Sequence, residues 1–355
     1  MTTTTAPTEV NVGQKLASMT RRDPYISRLV VLLLVLLAMF LIIKPDNFLD
    51  GATWSSMAVQ FPEFGLLALG VMVTMLTGGI DLSVVGIANM TSVLAAVIML
   101  AMVPTGAGAG TVAFGIAMAM LASITLGVLA GALNGFLVAK VRIPAILVTL
   151  GTLELFIGVA IVITAGRPIS GLPIAYSNLV AGDLFGVIPM QLIVFLLAVA
   201  LLGFILRKTA FGAEIYMLGS NATNAKFSGL NTTWILIRTY MLSGLVASLA
   251  GLVMLANYNS AKADYGLTYT LLTVLIVVLG GVNPNGGRGK LLGVVLAIVT
   301  LQILSSGLNL FPQISNFYRD LIWGGVLLFV IATSNVKSGG LLNRFRKKKR
   351  EEVAS

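Results

Sequence analysis

Two carboxylates in this sequence occupy positions where they could do chemistry. Asp81 lies between two apolar runs in the segment LTGGIDLSVVGIANM (76–90), and Glu154 lies in the apolar segment LVTLGTLELF. An ionisable side chain at membrane depth is costly and is a functional candidate by default, because it needs a partner or water. Broken helices with such residues can handle protons or Na⁺. For Asp81, the capping of a helix start is the structural alternative.

The residue types argue against thiol chemistry, metal binding and nucleotide binding. The chain has no cysteine and no histidine, which removes thiol chemistry and most transition-metal ligand sets. The loop GGVNPNGGRGK (280–290) is rich in glycine, but in the pattern G-x-x-x-x-G-K-[ST] its first glycine would fall at Pro284, and Leu291 stands where Ser or Thr is required. The sequence therefore predicts no catalytic residue, no metal site and no cofactor bound by this chain.

The composition is that of a membrane protein. Of the 355 residues, 57% are hydrophobic and 10% are charged, against about 25% charged in a soluble domain. Apolar runs of about 20 residues with few charges are typical of transmembrane helices. We predict an all-α integral membrane protein with about ten transmembrane helices, some short or broken. The predicted spans are roughly 29–43, 63–79, 83–102, 112–139, 144–165, 188–206, 235–256, 266–281, 291–310 and 317–334.

Basic residues orient these helices, because lysine and arginine accumulate in short cytoplasmic loops. With both termini in the cytoplasm, the 23 basic residues all lie inside except Lys44, Arg167, Lys262 and Arg319. The predicted parts are a cytoplasmic tail (1–28), a transmembrane domain (29–334) and a basic cytoplasmic tail (335–355). The tail segment RFRKKKR is interpreted as an anchor beside anionic lipid and not as a nucleic-acid site, because no folded domain or aromatic platform accompanies it.

The longest cytoplasmic loop, 207–233, contains apolar and small residues but few charges after its opening pair. A solvated linker would be more charged and less apolar. We expect short helices here that lie along the membrane surface and offer a docking surface to another protein. The alternative is an interfacial hairpin that packs on the chain's own helices.

Two segments follow the same plan. TMLTGGIDLSVVGIANM and VVLGGVNPNGGRGKLLGVVLA each have an apolar run, Gly-Gly, a branched residue, Asp or Asn, and then a helix rich in small residues. Both junctions lie at the inner ends of helices with the same orientation, which predicts a parallel internal repeat. Asp81 would lie near the N-cap of the third span, with a direct role in the pathway as the alternative. The junction and translocation candidates are Gly78, Gly79, Asp81, Ser83, Gly280, Gly281, Asn283 and Glu154.

Gly127, Gly131 and Gly135 lie four residues apart on one predicted span. Such a ridge of small residues lets two helix backbones approach closely, so we interpret it as packing. Ser243, Ala247 and Gly251 form a weaker version in the seventh span.

Four blocks in order carry a resemblance to a known family: GGIDLSVVG, IPAILVTLGTLELFIGVAIVITAGRPI, TAFGAEIYMLGSNATNAKFSGLNT and VLGGVNPNGGRGKLLGVVLAIVTLQILSSGLNL. The chain resembles the ribose-type permeases of bacterial ABC sugar importers. The resemblance implies a second permease copy (homodimer or heterodimer), a cytoplasmic ATPase that holds ATP and Mg²⁺, and a periplasmic or extracellular sugar-binding protein. It also implies that loop 207–233 couples to the ATPase. The coupling residues it implies are Thr209, Phe211, Gly212, Leu218, Gly219, Asn221, Asn224, Ala225, Gly229 and Leu230.

The resemblance implies a function in the bacterial cytoplasmic (inner) membrane: a permease subunit that moves a pentose- or hexose-like sugar by alternating access and is not itself an enzyme. Val85 and Gly86 depart from the usual Gly-Ser after GGIDLSV, and Glu154 stands where apolar residues are more usual. One alternative is an ion-coupled secondary transporter that uses Asp81 and Glu154. Others are an ABC permease for a non-sugar solute such as a branched-chain amino acid, and a membrane scaffold.

Overall fold

The computed structural model describes residues 24–311 together with Tyr318, Leu321, Gly324 and Gly325. The helices are α1 Pro24–Ile43, α2 Pro45–Leu49, α3 Gly51–Leu76, α4 Val84–Met102, α5 Ala109–Phe136, α6 Ala145–Thr164, α7 Ile174–Ala181, α8 Met190–Lys208, α9 Ala210–Ser220, α10 Ala222–Phe227, α11 Thr232–Tyr258, α12 Tyr269–Leu279 and α13 Leu291–Asn309. A π-helical turn, Leu137–Val141, extends α5. The strands are β1 Ile169–Ser170, β2 Asp183–Leu184, β3 Ile188–Pro189 and β4 Ser260–Ala261, with β1 paired to β4 and β2 to β3, both antiparallel.

Within the described residues, eight helices are long and apolar enough to cross a membrane: α1, α3, α4, α5, α6, α8, α11 and α13. Each corresponds to a predicted span, and α12, with 11 residues, corresponds to the span predicted at 266–281. The predicted span 317–334 and the tails 1–23 and 335–355 lie outside the described residues, apart from the isolated positions named above. The predicted all-α membrane architecture is confirmed.

Helix α3 begins 12 residues before the predicted start at Glu63. Its first turn is capped by Asp50, whose side chain accepts a hydrogen bond from the Ala52 N–H group at 3.3 Å. The apolar pattern alone suggested a start at Glu63, because the proline and carboxylate at 62–63 interrupt it. In the structure both residues are buried inside the helix.

Helix α11 lies at the centre and packs on α3, α4 and α5. A Cβ atom at Gly131 of α5 would overlap the backbone carbonyl oxygen of Tyr240, and one at Gly244 of α11 would overlap that of Gly127. These glycines therefore let two helix backbones touch, which confirms that the ridge serves packing.

The small residues of α11 serve a second neighbour as well. A Cβ atom at Gly251 would overlap the backbone of Ala88 in α4, and one at Gly70 of α3 would lie 3.2 Å from the Ser243 hydroxyl oxygen. Close packing on three sides fixes α11 relative to the junction between α3 and α4.

Candidate functional site

The first predicted junction begins where α3 ends. Gly78 has a φ of +85°, which glycine adopts without strain. The Gly78 N–H group donates to the Met75 carbonyl oxygen at 3.0 Å, and the Gly79 N–H group donates to that of Thr74 at 3.3 Å. This pair of bonds is the Schellman motif, which satisfies carbonyl groups at a helix C-terminus.

The second junction repeats this cap. Gly281 also has a φ of +85°, its N–H group donates to the Val278 carbonyl oxygen at 3.0 Å, and the Val282 N–H group donates to that of Val277 at 3.2 Å. The left-handed residue is the second glycine of its pair here and the first at Gly78. When the two segments are aligned on their Gly-Gly pairs, the helix caps are therefore displaced by one residue. Asp81 and Asn283, which match in that alignment, do not occupy equivalent positions.

The two junctions meet at the C-terminal end of α9. The Gly287 N–H group donates to the Leu76 carbonyl oxygen at 2.9 Å, and the Tyr216 hydroxyl of α9 donates to the Gly289 carbonyl oxygen at 3.0 Å. A Cβ atom at Gly219 would overlap the Leu76 carbonyl oxygen and lie 2.5 Å from the Gly287 nitrogen. Three backbone segments thus touch one another, which places both junctions on the same side of the bundle as α9.

The predicted coupling loop contains α9 and α10, so the expected short helices are present. Thr209 caps α9 by accepting a bond from the Gly212 N–H group at 3.2 Å, and Asn221 caps α10 by accepting one from the Asn224 N–H group at 2.9 Å. A Cβ atom at Gly212 would meet the backbone of α8. Thr209 and Asn221 therefore fix the starts of α9 and α10, and Gly212 lets α9 pack closely on α8.

The remaining predicted coupling residues mostly face the protein interior. Leu218 and Ala225 are buried, and Phe211 and Leu230 pack against the core. The large apolar residues that are exposed in this segment are Phe227, 87% exposed, and Met217, 47% exposed. Neither residue is among the predicted coupling residues, although an aromatic residue at the end of a predicted surface helix could have indicated Phe227. The exposed sides of α9 and α10, which form the predicted coupling surface, therefore offer apolar contacts.

Asp81 is fully buried between the first junction and α11. Its Oδ1 atom accepts bonds from the Ser83 N–H group at 3.0 Å and the Ser83 hydroxyl at 2.6 Å, and its Oδ2 atom accepts one from the Ser243 hydroxyl at 2.8 Å. The Asn134 amide in turn donates to the Ser83 hydroxyl at 2.7 Å. Burial raises the pKa of the Asp81 carboxyl above its ordinary value, and these hydrogen bonds oppose that rise.

The N-cap of α4 is Ser83, so Asp81 lies two residues before the cap and is not the cap itself. The prediction that it accepts a backbone N–H bond near the helix start is confirmed, but its other bonds are to side chains on two elements. Asp81 therefore joins the junction to α11, and through Ser83 to α5.

Glu154 lies apart from Asp81. It is the tenth of the 20 residues of α6 and its side chain is exposed, while the buried side of α6 packs on α4. Gly151 and Gly158 lie on the same side as Glu154, and a Cβ atom at either would meet nothing within 4 Å. Glu154 makes no ion pair with any described residue. The structure does not bring the two predicted carboxylates into one site.

A third carboxylate, Glu63 of α3, is not among the site residues that the sequence predicts. It is 4% exposed and accepts bonds from the Asn257 amide at 2.7 Å and the Tyr258 hydroxyl at 2.6 Å. The Gln191 amide donates to Asn257 at 2.7 Å. This network joins α3, α8 and the end of α11. Among the described residues, no group of three carboxylates lies close enough to hold a metal ion.

The family described as branched-chain amino acid transport system / permease component matches residues 53–331. The chain is 32% identical to the ribose import permease protein RbsC of Bacillus subtilis (strain 168) over 86% of this chain and 91% of that protein. It is 37% identical to the autoinducer 2 import system permease protein LsrC of Escherichia coli (strain SMS-3-5 / SECEC), over 75% and 74%. It is 28% identical to the D-allose transport system permease protein AlsC of Escherichia coli (strain K12), over 86% and 90%.

A solved structure has the same fold. It is an inward-facing conformation of an ABC transporter of metal-chelate type, which matches with a TM-score of 0.50 and 15% sequence identity, over 87% of this chain and 98% of that one. This likeness concerns the fold and not the transported solute.

Proposed function

The chain belongs to the family of branched-chain amino acid transport system permease components, and on this premise we propose that it is the permease subunit of an ATP-binding cassette importer for a pentose- or hexose-like sugar. The observation that carries the proposal is the contact of Gly219 with Leu76 and Gly287. Through it, a docking segment touches both junctions between membrane helices. The names of the ribose, autoinducer 2 and D-allose relatives support a sugar-like solute.

A cytoplasmic ATPase subunit would dock on the coupling surface, where Met217 and Phe227 are exposed. Closure of the ATPase pair would pull α9, and the backbone contacts at Gly219 would pass that motion to α3 and to the loop before α13. The bundle would then alternate between inward- and outward-facing states. ATP and Mg²⁺ belong to the partner in this proposal, and this chain is not an enzyme and binds no cofactor.

A second permease subunit, identical or related, would cover the exposed side of α6. A charged side chain facing lipid at the centre of a helix costs about 2.5–3.5 kcal/mol or more, and Glu154 is exposed at that position. Gly151 and Gly158 would let the partner's backbone approach. Glu154 would then face the passage between the two subunits, where water and sugar hydroxyl groups can meet its carboxylate.

The proposed location is the bacterial cytoplasmic (inner) membrane, with α9, α10 and both tails on the cytoplasmic side, because the basic residues accumulate there. The sugar-binding protein would dock on the opposite side. The polar cluster around Asp81 acts in this proposal as a fixed joint and not as an ion site, because each carboxylate oxygen already accepts a hydrogen bond within the protein.

Reconstitution tests the proposal. The chain is placed in proteoliposomes with and without its ATPase and its binding protein, and uptake of radiolabelled ribose and allose is measured with enclosed or external ATP. Uptake should require ATP and all three components. Uptake by the chain alone under a proton or Na⁺ gradient would overturn the proposal in favour of a secondary transporter. A binding-protein-dependent uptake of leucine but of no sugar would overturn the solute class alone.

A further inference from the structure

A groove runs between α8 and α13 and opens at the end of α8 that precedes α9. Its volume is about 470 Å³. Its walls are apolar, and two basic residues lie at its end. The lining residues are Val199, Gly203, Phe204, Arg207, Lys208, Leu291, Leu292 and Val295.

The spacing along α8 builds this groove. Val199, Gly203 and Arg207 follow one another at intervals of four residues, which places them on one face of the helix. Gly203 has no side chain and so leaves the floor of the groove open. A Cβ atom there would lie 3.4 Å from a Leu291 methyl group, with no closer atom. Phe204 remains 61% exposed beside it. A flexible hydrocarbon chain has room to lie along this surface.

No carboxylate among the described residues forms an ion pair with the two cations at the end of the groove. Arg207 and Lys208 form the last turn of α8, both side chains are exposed, and neither makes an ion pair within the described part of the chain. Further basic residues lie nearby, because Lys290 directly precedes Leu291 of the groove and lines, with Arg288, an adjoining cavity of about 370 Å³. The exposed cations Arg207 and Lys208 favour an anionic occupant.

We propose that an anionic phospholipid occupies this groove, with an acyl chain against Val199, Phe204 and Leu292 and the headgroup phosphate between Arg207 and Lys208. Apolar walls that end in cations match the two parts of such a lipid, and basic pockets between membrane helices on the cytoplasmic side are suited to anionic headgroups. A soluble phosphate ester would leave the apolar walls uncovered. The proposal rests on the proposed function in one respect, which is that the groove faces the cytoplasmic leaflet of the membrane.

The site has a consequence for coupling. Thr209, which caps α9, directly follows Lys208, so a lipid held at Lys208 lies at the hinge between α8 and the coupling surface. A bound headgroup would steady that hinge and reduce the freedom of α9 to move without the membrane helices. ATP hydrolysis should then be more tightly linked to transport in anionic membranes.

Native mass spectrometry of the full chain tests the site without any transport measurement. The protein in mild detergent is titrated with dioleoyl phosphatidylglycerol or dioleoyl phosphatidylcholine, and the fraction carrying one lipid gives an apparent affinity. The wild type should prefer phosphatidylglycerol. The double variant Arg207→Gln/Lys208→Gln should bind it about 30-fold more weakly, because each cation near an anionic headgroup changes the affinity about five-fold.

Two further variants separate the contributions. Gly203→Phe, which fills the groove, should also lose phosphatidylglycerol while keeping the charges. Lys140→Gln/Arg142→Gln removes two exposed cations near the end of α5 and should bind as the wild type does. Excess glycerol 3-phosphate should fail to displace the lipid.

Equal affinity of the wild type for both lipids, unchanged binding by the groove variants, or displacement by glycerol 3-phosphate would each overturn the site. Failure of sugar uptake with lipid binding intact would instead count against the proposed function.

Discussion

The Gly287 amide donates a hydrogen bond to the Leu76 carbonyl oxygen at 2.9 Å, although the two residues are more than 200 positions apart in the chain. Leu76 is the last residue of α3, and carbonyl groups at a helix end have no partner within the helix. The second junction therefore supplies a hydrogen-bond donor to the end of α3, the helix that leads into the first junction. A displacement of either junction must break this bond or move both together.

Substituting Gly219 by alanine should disturb that contact. The added Cβ would overlap the Leu76 carbonyl oxygen and approach the Gly287 nitrogen, and both are backbone atoms that cannot rotate away. We expect a loss of about 1–3 kcal/mol in stability, as for other overpacked positions, together with ATP hydrolysis that no longer drives uptake. Thermal unfolding in detergent and the ratio of sugar transported to ATP hydrolysed measure the two effects.

Gly110→Ala is the matched control. Gly110 lies in the first turn of α5, and a Cβ atom there would meet nothing within 4 Å, so stability and coupling should stay at wild-type values. If Gly219→Ala also transports with the wild-type ratio, the contact between α9 and the junctions does not carry the coupling.

Substituting Asp81 by asparagine should weaken the joint between the first junction and α11. An amide offers one acceptor oxygen where the carboxylate offers two, so the Ser243 hydroxyl must reorient and the charge-assisted bonds are lost. We expect a cost of about 1–3 kcal/mol in stability. Competition among sugars for uptake should keep its wild-type order, because the carboxylate is fully buried.

A double-mutant cycle with Ser243→Ala checks the assignment. The costs of the two changes should add to more than the cost of the double variant, because both remove the same bond. Strict additivity would show that the Asp81–Ser243 bond contributes little to stability.

Much of this architecture was predictable from sequence because it follows from hydropathy and composition. The long helices are apolar over their whole length, and the low charge of segment 207–233 indicated surface helices in the region where α9 and α10 lie. The Gly-Gly pairs indicated helix ends, since a left-handed residue at that position favours glycine. Each of these signals is local in the chain.

The rest depends on contacts between distant segments, which a single sequence does not contain. Glu63 looked like the edge of a span because its partners Asn257 and Tyr258 lie almost 200 residues away. The exposed position of Glu154 depends on which side of α6 packs on α4. The one-residue displacement of the two Gly-Gly caps depends on where each helix stops.

Substituting Glu154 should affect transport without affecting the fold. The side chain is exposed and contributes no ion pair to the described residues, so Glu154→Leu should change the stability of the chain in detergent by less than about 0.5 kcal/mol. Sugar uptake should fall on the order of ten-fold, as expected for the loss of one hydrogen bond to a charged group. Glu154→Gln should retain more activity than Glu154→Leu.

The proposed partner on this face can be tested by cross-linking, because the chain has no cysteine. Gly158→Cys, on the exposed side of α6, should form a disulfide-linked dimer on oxidation if two identical copies meet there. Leu197→Cys, an exposed position on α8, should not. A dimer from Leu197→Cys alone would place the contact between copies on another face.

Substituting Glu63 should destabilise the side of the bundle opposite the junctions. Glu63→Leu removes the acceptor of both the Asn257 amide and the Tyr258 hydroxyl and leaves these groups without that partner. Each hydrogen bond that is lost costs about 0.5–1.5 kcal/mol, so the midpoint of thermal unfolding should fall. Glu63→Gln keeps one acceptor oxygen, so its unfolding midpoint should fall less.

Asp264→Asn is the contrasting control for a carboxylate at the same end of α11. It removes the 3.0 Å ion pair with Lys262, whose side chain is 39% exposed while that of Asp264 is 49% exposed. Such solvent-accessible pairs contribute about 0–1 kcal/mol. The order of unfolding midpoints should therefore be Asp264→Asn above Glu63→Gln above Glu63→Leu. If Glu63→Leu unfolds at the wild-type temperature, the three hydrogen-bonded residues do not fasten the end of α11 to α3, and the stability of that end must come from its apolar packing.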